Sequence, residues 1–161
     1  MLPWVLYQSA DPLRAVHGQA GIDAVIVETP YERVRYDAYL QVLQGARITP
    51  GFVTAEQAAA KRRIGFVIYA HSVTDDDSER GFLARFRARA ALPGGRSLRP
   101  VAAVPFGPSD DFYDVGTFRE ERYVGSITFR FADICTPRGV LHVWDGAHRT
   151  YTFPYDLRRF R

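Results

Sequence analysis

Hydrophobic and polar residues change their spacing several times along the chain, and each change predicts an element. The stretch "GIDAVIVET" (21–29) is rich in β-branched residues and stops at Pro30, which predicts a strand. The next segment, "RVRYDAYLQVLQG", sets Val34, Tyr36, Ala38, Leu40 and Val42 on one face and Arg33, Arg35, Asp37, Tyr39 and Gln41 on the other. That period of two predicts a second strand with one buried face. Thr54 and Gln57 match a capping box ahead of an alanine-rich run, so a short helix is expected over about 54–62. "IGFVIYA" (64–70) is apolar at nearly every position and too short for a typical helix, and reads as a central strand covered on both faces.

Phe82, Leu83, Phe86 and Ala90 then fall at helical spacing, predicting a longest helix over about 75–92 that ends at "LPGG". The remainder reads as β: "LRPVAAVPF" (98–106), a loop holding "GPSDDFYDVG", a long strand over 117–131, and the hairpin "GVLHVWDGAHRTYTF". Asp145-Gly146 is its turn signal, because a type I′ turn needs positive φ at both central positions. About six or seven mostly antiparallel strands with two inserted helices place the chain in the α+β class, as a β-sandwich or a strongly curved sheet. No repeat, low-complexity tract or linker divides it, so residues 1–161 read as one globular domain.

Composition adds limits. With 47% hydrophobic and 14% aromatic residues the chain can bury a sizeable core, which excludes bulk disorder. Cys135 is the single cysteine, which rules out an intrachain disulfide and a Cys-rich zinc site. No apolar run approaches the roughly 18 residues of a membrane span. The N-terminus lacks the basic and apolar regions of an intact signal peptide. A trimmed export signal would leave a cell-envelope protein, and without one the chain reads as cytoplasmic.

Candidate chemistry begins with the acids. In "HSVTDDDSERGF", Thr74 with Asp77 and Asp76 with Glu79 match cap-x-x-acid spacing, which predicts helix capping. The contiguous aspartates lack the alternating order of a calcium loop. A metal site built from Asp75 and Asp77 with Asp110, Asp111 and Asp114 is the alternative, provided the two segments converge. His71-Ser72 near Asp75 and Asp77 has the residue types of a hydrolase but no Gly-x-Ser-x-Gly elbow. A two-residue hairpin turn sets His142 and His148 on opposite faces of the ribbon, so they read as separate residues and not as a metal pair. Neither "PGG" nor "FGPSDD" matches a phosphate-binding loop, and no cofactor is expected.

The charge pattern carries one positive signal. The net charge is +3, and all but Lys61 of the 21 cations are arginine. Codon bias in a high-GC genome explains that choice, and so does a need for planar, forked donors. Arg80, Arg85, Arg87, Arg89, Arg96 and Arg99 follow one another with no acid between Arg80 and Arg99. On the expected helix Arg80, Arg85, Arg87 and Arg89 flank the apolar stripe. They serve there either as cover for core edges or as a surface for an anionic protein or glycan. Aromatic residues interleaved for base stacking are missing, which argues against nucleic acid.

The order of strand, alternating strand, short "TPxxxT" helix, buried strand, helix and Tyr- and Phe-rich hairpins resembles small uncharacterised β-rich proteins of bacterial envelopes, including mature lipoprotein domains. The resemblance spans most of the chain and carries no catalytic or binding motif. The lipid-bearing cysteine near a mature N-terminus is missing here. The expected function is a non-enzymatic binding or interaction module with an anionic ligand or partner. The alternative is a small hydrolase or metal-dependent enzyme using the acidic loops and His71.

Overall fold

In the computed structural model, which describes residues 4–160 apart from the Leu40 side chain, two β-sheets pack face to face and a pair of helices lies against the outside of the larger one. The chain runs through β1 (Val5–Gln8), β2 (Arg14–Ala15), β3 (Gly21–Glu28), α1 (Pro30–Leu43), α2 (Pro50–Ala60), β4 (Arg63–His71), β5 (Arg87–Ala91), β6 (Ser97–Leu98), β7 (Ala102–Val115), β8 (Phe118–Ala132), β9 (Arg138–Trp144) and β10 (Thr150–Asp156). The larger sheet has the order β1-β3-β4-β8-β7-β2 and the smaller β10-β9-β5-β6. All pairs are antiparallel except β2 with β7. The fold is an α+β sandwich, and no helix among the described residues is long and apolar enough to cross a membrane.

Alternation decides what fills the core. Val25 and Val27 of β3, Phe66, Ile68 and Ala70 of β4, and Ile127, Phe129 and Phe131 of β8 point to the same side. They meet Ala88 and Ala90 of β5, Leu141 and Val143 of β9, and Phe153 and Tyr155 of β10. Phe66 packs edge-on to Phe131 at 5.9 Å and against Tyr155 at 5.2 Å between ring centroids, locking the two layers together. β4 is covered fully on this side only, not on both as its unbroken apolar run predicts, because Tyr69 on its other side is 41% exposed.

Residues 33–42 form most of α1 rather than a strand. Thr29 Oγ1 accepts from Glu32 N–H at 3.3 Å and Pro30 opens the first turn, a strong local start signal. Ion pairs at helical spacing follow, Glu32–Arg35 at 2.6 Å and Arg33–Asp37 at 3.6 Å. The half-buried stripe runs Pro30, Arg33, Val34, Asp37, Ala38, Gln41, which is helical in period but largely polar. Tyr31 and Tyr39 face solvent, while Tyr36, also largely exposed, borders the space between helix and sheet. Hydropathy therefore showed a false period of two, and Leu40, one member of it, has its side chain outside the described residues. Helix α2 starts earlier than the 54–62 expectation, because Thr49 and not Thr54 is the cap, accepting from Phe52 N–H at 3.2 Å.

The expected helix over 75–92 is also replaced. Residues 74–81 form turns, residues 82–85 make a single 3₁₀ turn that buries Phe82 and Leu83, and β5 follows. Phe86, Ala88 and Ala90 point inward and Arg87 and Arg89 outward, an alternation concealed by the small size of alanine. The expected loop at 106–116 belongs to β7, which continues past an irregularity between Phe106 and Ser109. The β9–β10 connection is five residues long, since Trp144 pairs with Thr150. Asp145 closes it by accepting from Ala147 N–H at 2.8 Å and Arg149 N–H at 3.3 Å, so the two-residue turn is not formed.

Gly139 of β9 faces the Tyr155 ring, and a Cβ there would collide with its hydroxyl and with the Ala91 carbonyl oxygen. That hydroxyl is buried without a hydrogen-bond partner among the described residues, and burial pushes its pKa up to about 12. The unfolded chain ionises first as pH rises, so this residue's stabilising contribution holds below its ordinary value near 10 and is lost on the way to about 12. Tyr155→Phe should be neutral or stabilising by up to about 1 kcal/mol at neutral pH. It should also make the fall in stability between pH 10 and 12 shallower, as read by urea denaturation across a pH series. Gly139→Ala should destabilise at every pH.

Candidate functional site: a cleft between α1 and the large sheet

The face of the large sheet turned away from the core carries three rows of side chains, each crossing four strands in register. Glu28, Gly65, Arg130 and Ala102 form one, Ile26, Val67, Thr128 and Val104 the next, and Ala24, Tyr69, Ser126 and Phe106 the third. Helix α1 covers this face incompletely, presenting Glu32, Arg35, Tyr36 and Asp37. Between helix and sheet lies a cavity of about 360 Å³, closed at one corner by Trp4. That is a size that encloses a small organic ligand.

The cavity has two ends of different chemistry. At one, Arg130 donates from Nε to Glu28 Oε2 at 3.0 Å and from an Nη to Oε1 at 3.2 Å, a forked pair that raises the arginine's pKa. Gly65 stands between them in the row, and a Cβ there would collide with the Glu28 carboxylate and sit 2.9 Å from Glu28 Cβ. The missing side chain is what lets the pair bridge a full strand. At the other end Tyr36, Tyr69 and Phe106 form aromatic walls, with Phe106 77% exposed. Burial, with Tyr36 adding to it, raises the Tyr69 pKa, so its hydroxyl is a neutral donor and acceptor. The Arg35 guanidinium lies over the Trp4 ring at 5.3 Å.

A buried polar cluster lies outside the cleft. Asp23 is the extra residue of an irregularity in β3, between Ile22 and Ala24, which turns its carboxylate inward. His71 Nδ1 lies 3.0 and 3.2 Å from its two oxygens, and the Tyr113 hydroxyl donates to Oδ2 at 3.2 Å. The His71 and Tyr113 rings lie against each other at 4.5 Å, tilted by 35°, and burial followed by the charge of Asp23 raises the Tyr113 pKa. The imidazole occupies space left by Gly21, where a Cβ would meet Nε2 at 2.8 Å. Ser72 is committed elsewhere: its hydroxyl donates to the Thr74 carbonyl and accepts from Tyr123 N–H at 3.0 Å. Arg122 is fully buried, donating to the carbonyls of Gln19 at 2.9 Å and Ser72 at 3.0 Å and to Glu120 at 3.2 Å. The cluster ties β3, β4, β7 and β8 together, and the Ser72 hydroxyl makes no hydrogen bond to the imidazole among the described residues.

The other candidate residues are dispersed. Arg85 pairs with buried Glu79 at 2.6 Å, and Arg80 lies over the Tyr123 ring at 5.3 Å. Arg87 and Arg89 project outward from β5, a strand in place of the expected helix. Asp76 closes a turn by accepting from the Ser78 hydroxyl, the main cause of its lowered pKa, and from Ser78 N–H at 2.9 Å, and it caps no helix. Asp75 and Asp77 are exposed in those turns, while Asp110 and Asp114 alternate with Asp111 across the two faces of β7. No three His, Cys, Asp or Glu side chains among the described residues gather as a metal set. His142 sits on β9 beside Trp144, His148 lies in the hairpin loop, and Cys135 is exposed. No family model, curated protein or solved structure matches the chain.

Sequence reasoning missed the cleft because its residues come from five elements and from Trp4 ahead of β1. The readable trace is Gly65 inside an otherwise apolar strand, a position that marks close approach by a neighbour. Gly65→Ala should cost about 1–3 kcal/mol by overpacking Glu28. Urea denaturation measures the loss, and Glu28→Ala in the same background should recover part of it.

Proposed function

We propose that this protein is a non-enzymatic binding module whose α1–sheet cleft holds a small amphipathic ligand with an apolar or aromatic body and a neutral or cationic head. The observation that carries the reading is the apolar row Ile26, Val67 and Val104 left open beneath α1 and walled by aromatic side chains. A soluble domain that keeps such a face open has a use for it. The preference for a cation rests on the aromatic faces of Tyr36, Tyr69 and Phe106 in the lining, since the three acids there are each matched by an arginine. The absence of catalysis is supported by the state of the acids, each already paired with arginine. His71 lies outside the cleft's lining.

N-phenyl-1-naphthylamine, a neutral aromatic probe, should gain fluorescence on binding at one site per chain. Val67→Trp, which fills the floor, should weaken that binding about tenfold or more, a loss of roughly 1.4 kcal/mol. Dodecyltrimethylammonium should displace the probe better than dodecyl sulfate. Unchanged probe binding in a folded Val67→Trp protein, or an equal response to both detergents below their micellar concentrations, defeats the corresponding part of the reading.

A further inference from the structure

A second groove opens on the opposite side of the large sheet, where the sandwich does not close. Strand β5 pairs with β9 along its whole length, but its other edge meets β6 only at Ala90 and Ala91. Residues 87–89 therefore have no strand on that edge among the described residues. Beyond the gap, Ala103 and Pro105 of β7 lie on the core side of the large sheet and yet are exposed. The cavity between them, about 480 Å³, has Ala103 and Phe129 in its floor and Trp144 at one end.

Its rim is cationic. Arg87, Arg89 and Arg99 line it and no acidic side chain does. Arg87 donates to the carbonyls of Ala84 at 2.7 Å and Phe86 at 2.8 Å, which fixes its head at the groove's mouth. Arg89 and Arg99 are exposed and make no hydrogen bond or ion pair among the described residues. Arg85, Arg122, Arg130, Arg138 and Arg158 are each matched to an acid. The three at the groove are brought together on one rim with no acidic partner among the described residues.

An unpaired strand edge offers backbone donors and acceptors at strand spacing, and it is a template for another extended chain. Arginines on either side of such an edge attract carboxylates and repel basic segments. We propose that the groove binds an acidic, extended peptide segment of a partner protein, which adds as a strand to β5 at residues 87–89 while its carboxylates pair with Arg87, Arg89 and Arg99. Alternate side chains of that segment face Ala103 and Phe129, so its favoured pattern is acidic and apolar in turn. The site is independent of the α1 cleft, since Phe129 and Thr128, neighbours on β8, point to the two opposite faces.

The test is calorimetric titration of the full chain with an end-blocked peptide of four Glu-Val repeats. Glu-Pro repeats of the same length and charge lack every second backbone donor and hold φ at about −65°, away from strand geometry, and Lys-Val repeats reverse the charge. Glu-Val should bind, should weaken about tenfold between low and high salt, and should exceed both controls by about tenfold or more. Arg89→Glu with Arg99→Glu should abolish binding while leaving the circular dichroism spectrum and naphthylamine binding at the cleft unchanged. Hydrogen exchange at the amides of 87–89 should slow only with Glu-Val. Equal binding of Glu-Val and Glu-Pro would reduce the groove to a non-specific anion surface and overturn strand addition. So would competition by heparin without protection of 87–89. No binding of Glu-Val, or binding untouched by the double variant, overturns the proposal outright.

Discussion

The register of β4 against β8 governs the rest of the molecule. It runs from Arg63 opposite Ala132 to His71 opposite Val124 without an irregularity. Because side chains alternate, a slip of one residue would turn one of the two strands over relative to the other. If β8 turned, Phe129 and Ile127 would leave the core and Thr128 and Arg130 would enter it; if β4 turned, Phe66 and Ile68 would leave and Val67 and Tyr69 would enter. The same constraint makes the cleft: once the phenylalanines are committed inward, Gly65, Val67, Thr128 and Arg130 are committed outward. Core and cleft are two consequences of a single pairing.

The part of this legible in the sequence was the part that depended on residue type alone. β3, β4, β8 and β9 are rich in β-branched and aromatic residues, and in β8 the inward Ile127, Phe129 and Phe131 alternate with Ser126, Thr128 and Arg130. Where the contacting surface is polar, as along Arg33, Asp37 and Gln41 of α1, hydropathy carried no helical signal, and the tyrosines on the exposed side supplied a misleading one. In β5 the inward residues are alanines, too small to mark a strand. The cleft and the groove depend on which strands end early and which neighbours lie across a gap, and such tertiary facts have no local trace beyond an isolated glycine or a run of unmatched arginines.

Arginine does several kinds of physical work here. Arg122, wholly enclosed, acts as a multiple hydrogen-bond donor that satisfies carbonyls from two separate segments. Arg130 spans a strand to reach Glu28 across the space Gly65 leaves. Arg35 and Arg80 lie on aromatic faces. Each of these uses the planar, forked head in a way that a lysine ammonium cannot reproduce. The near-exclusive use of arginine is thus matched to roles the fold assigns, and a general substitution of lysine would loosen the buried and stacked positions first.

The chain contains two tryptophans, and the architecture assigns them to different cavities. Trp4 borders the cleft under the Arg35 guanidinium, while Trp144 borders the groove, 6.3 Å from the His142 ring and across from Arg87 on the neighbouring strand. Their emission therefore encodes position: light from one indole reports on one cavity and not the other. Replacing either by phenylalanine yields a protein with a single optical channel, so occupancy of the two sites can be followed separately in the same solution without any attached dye.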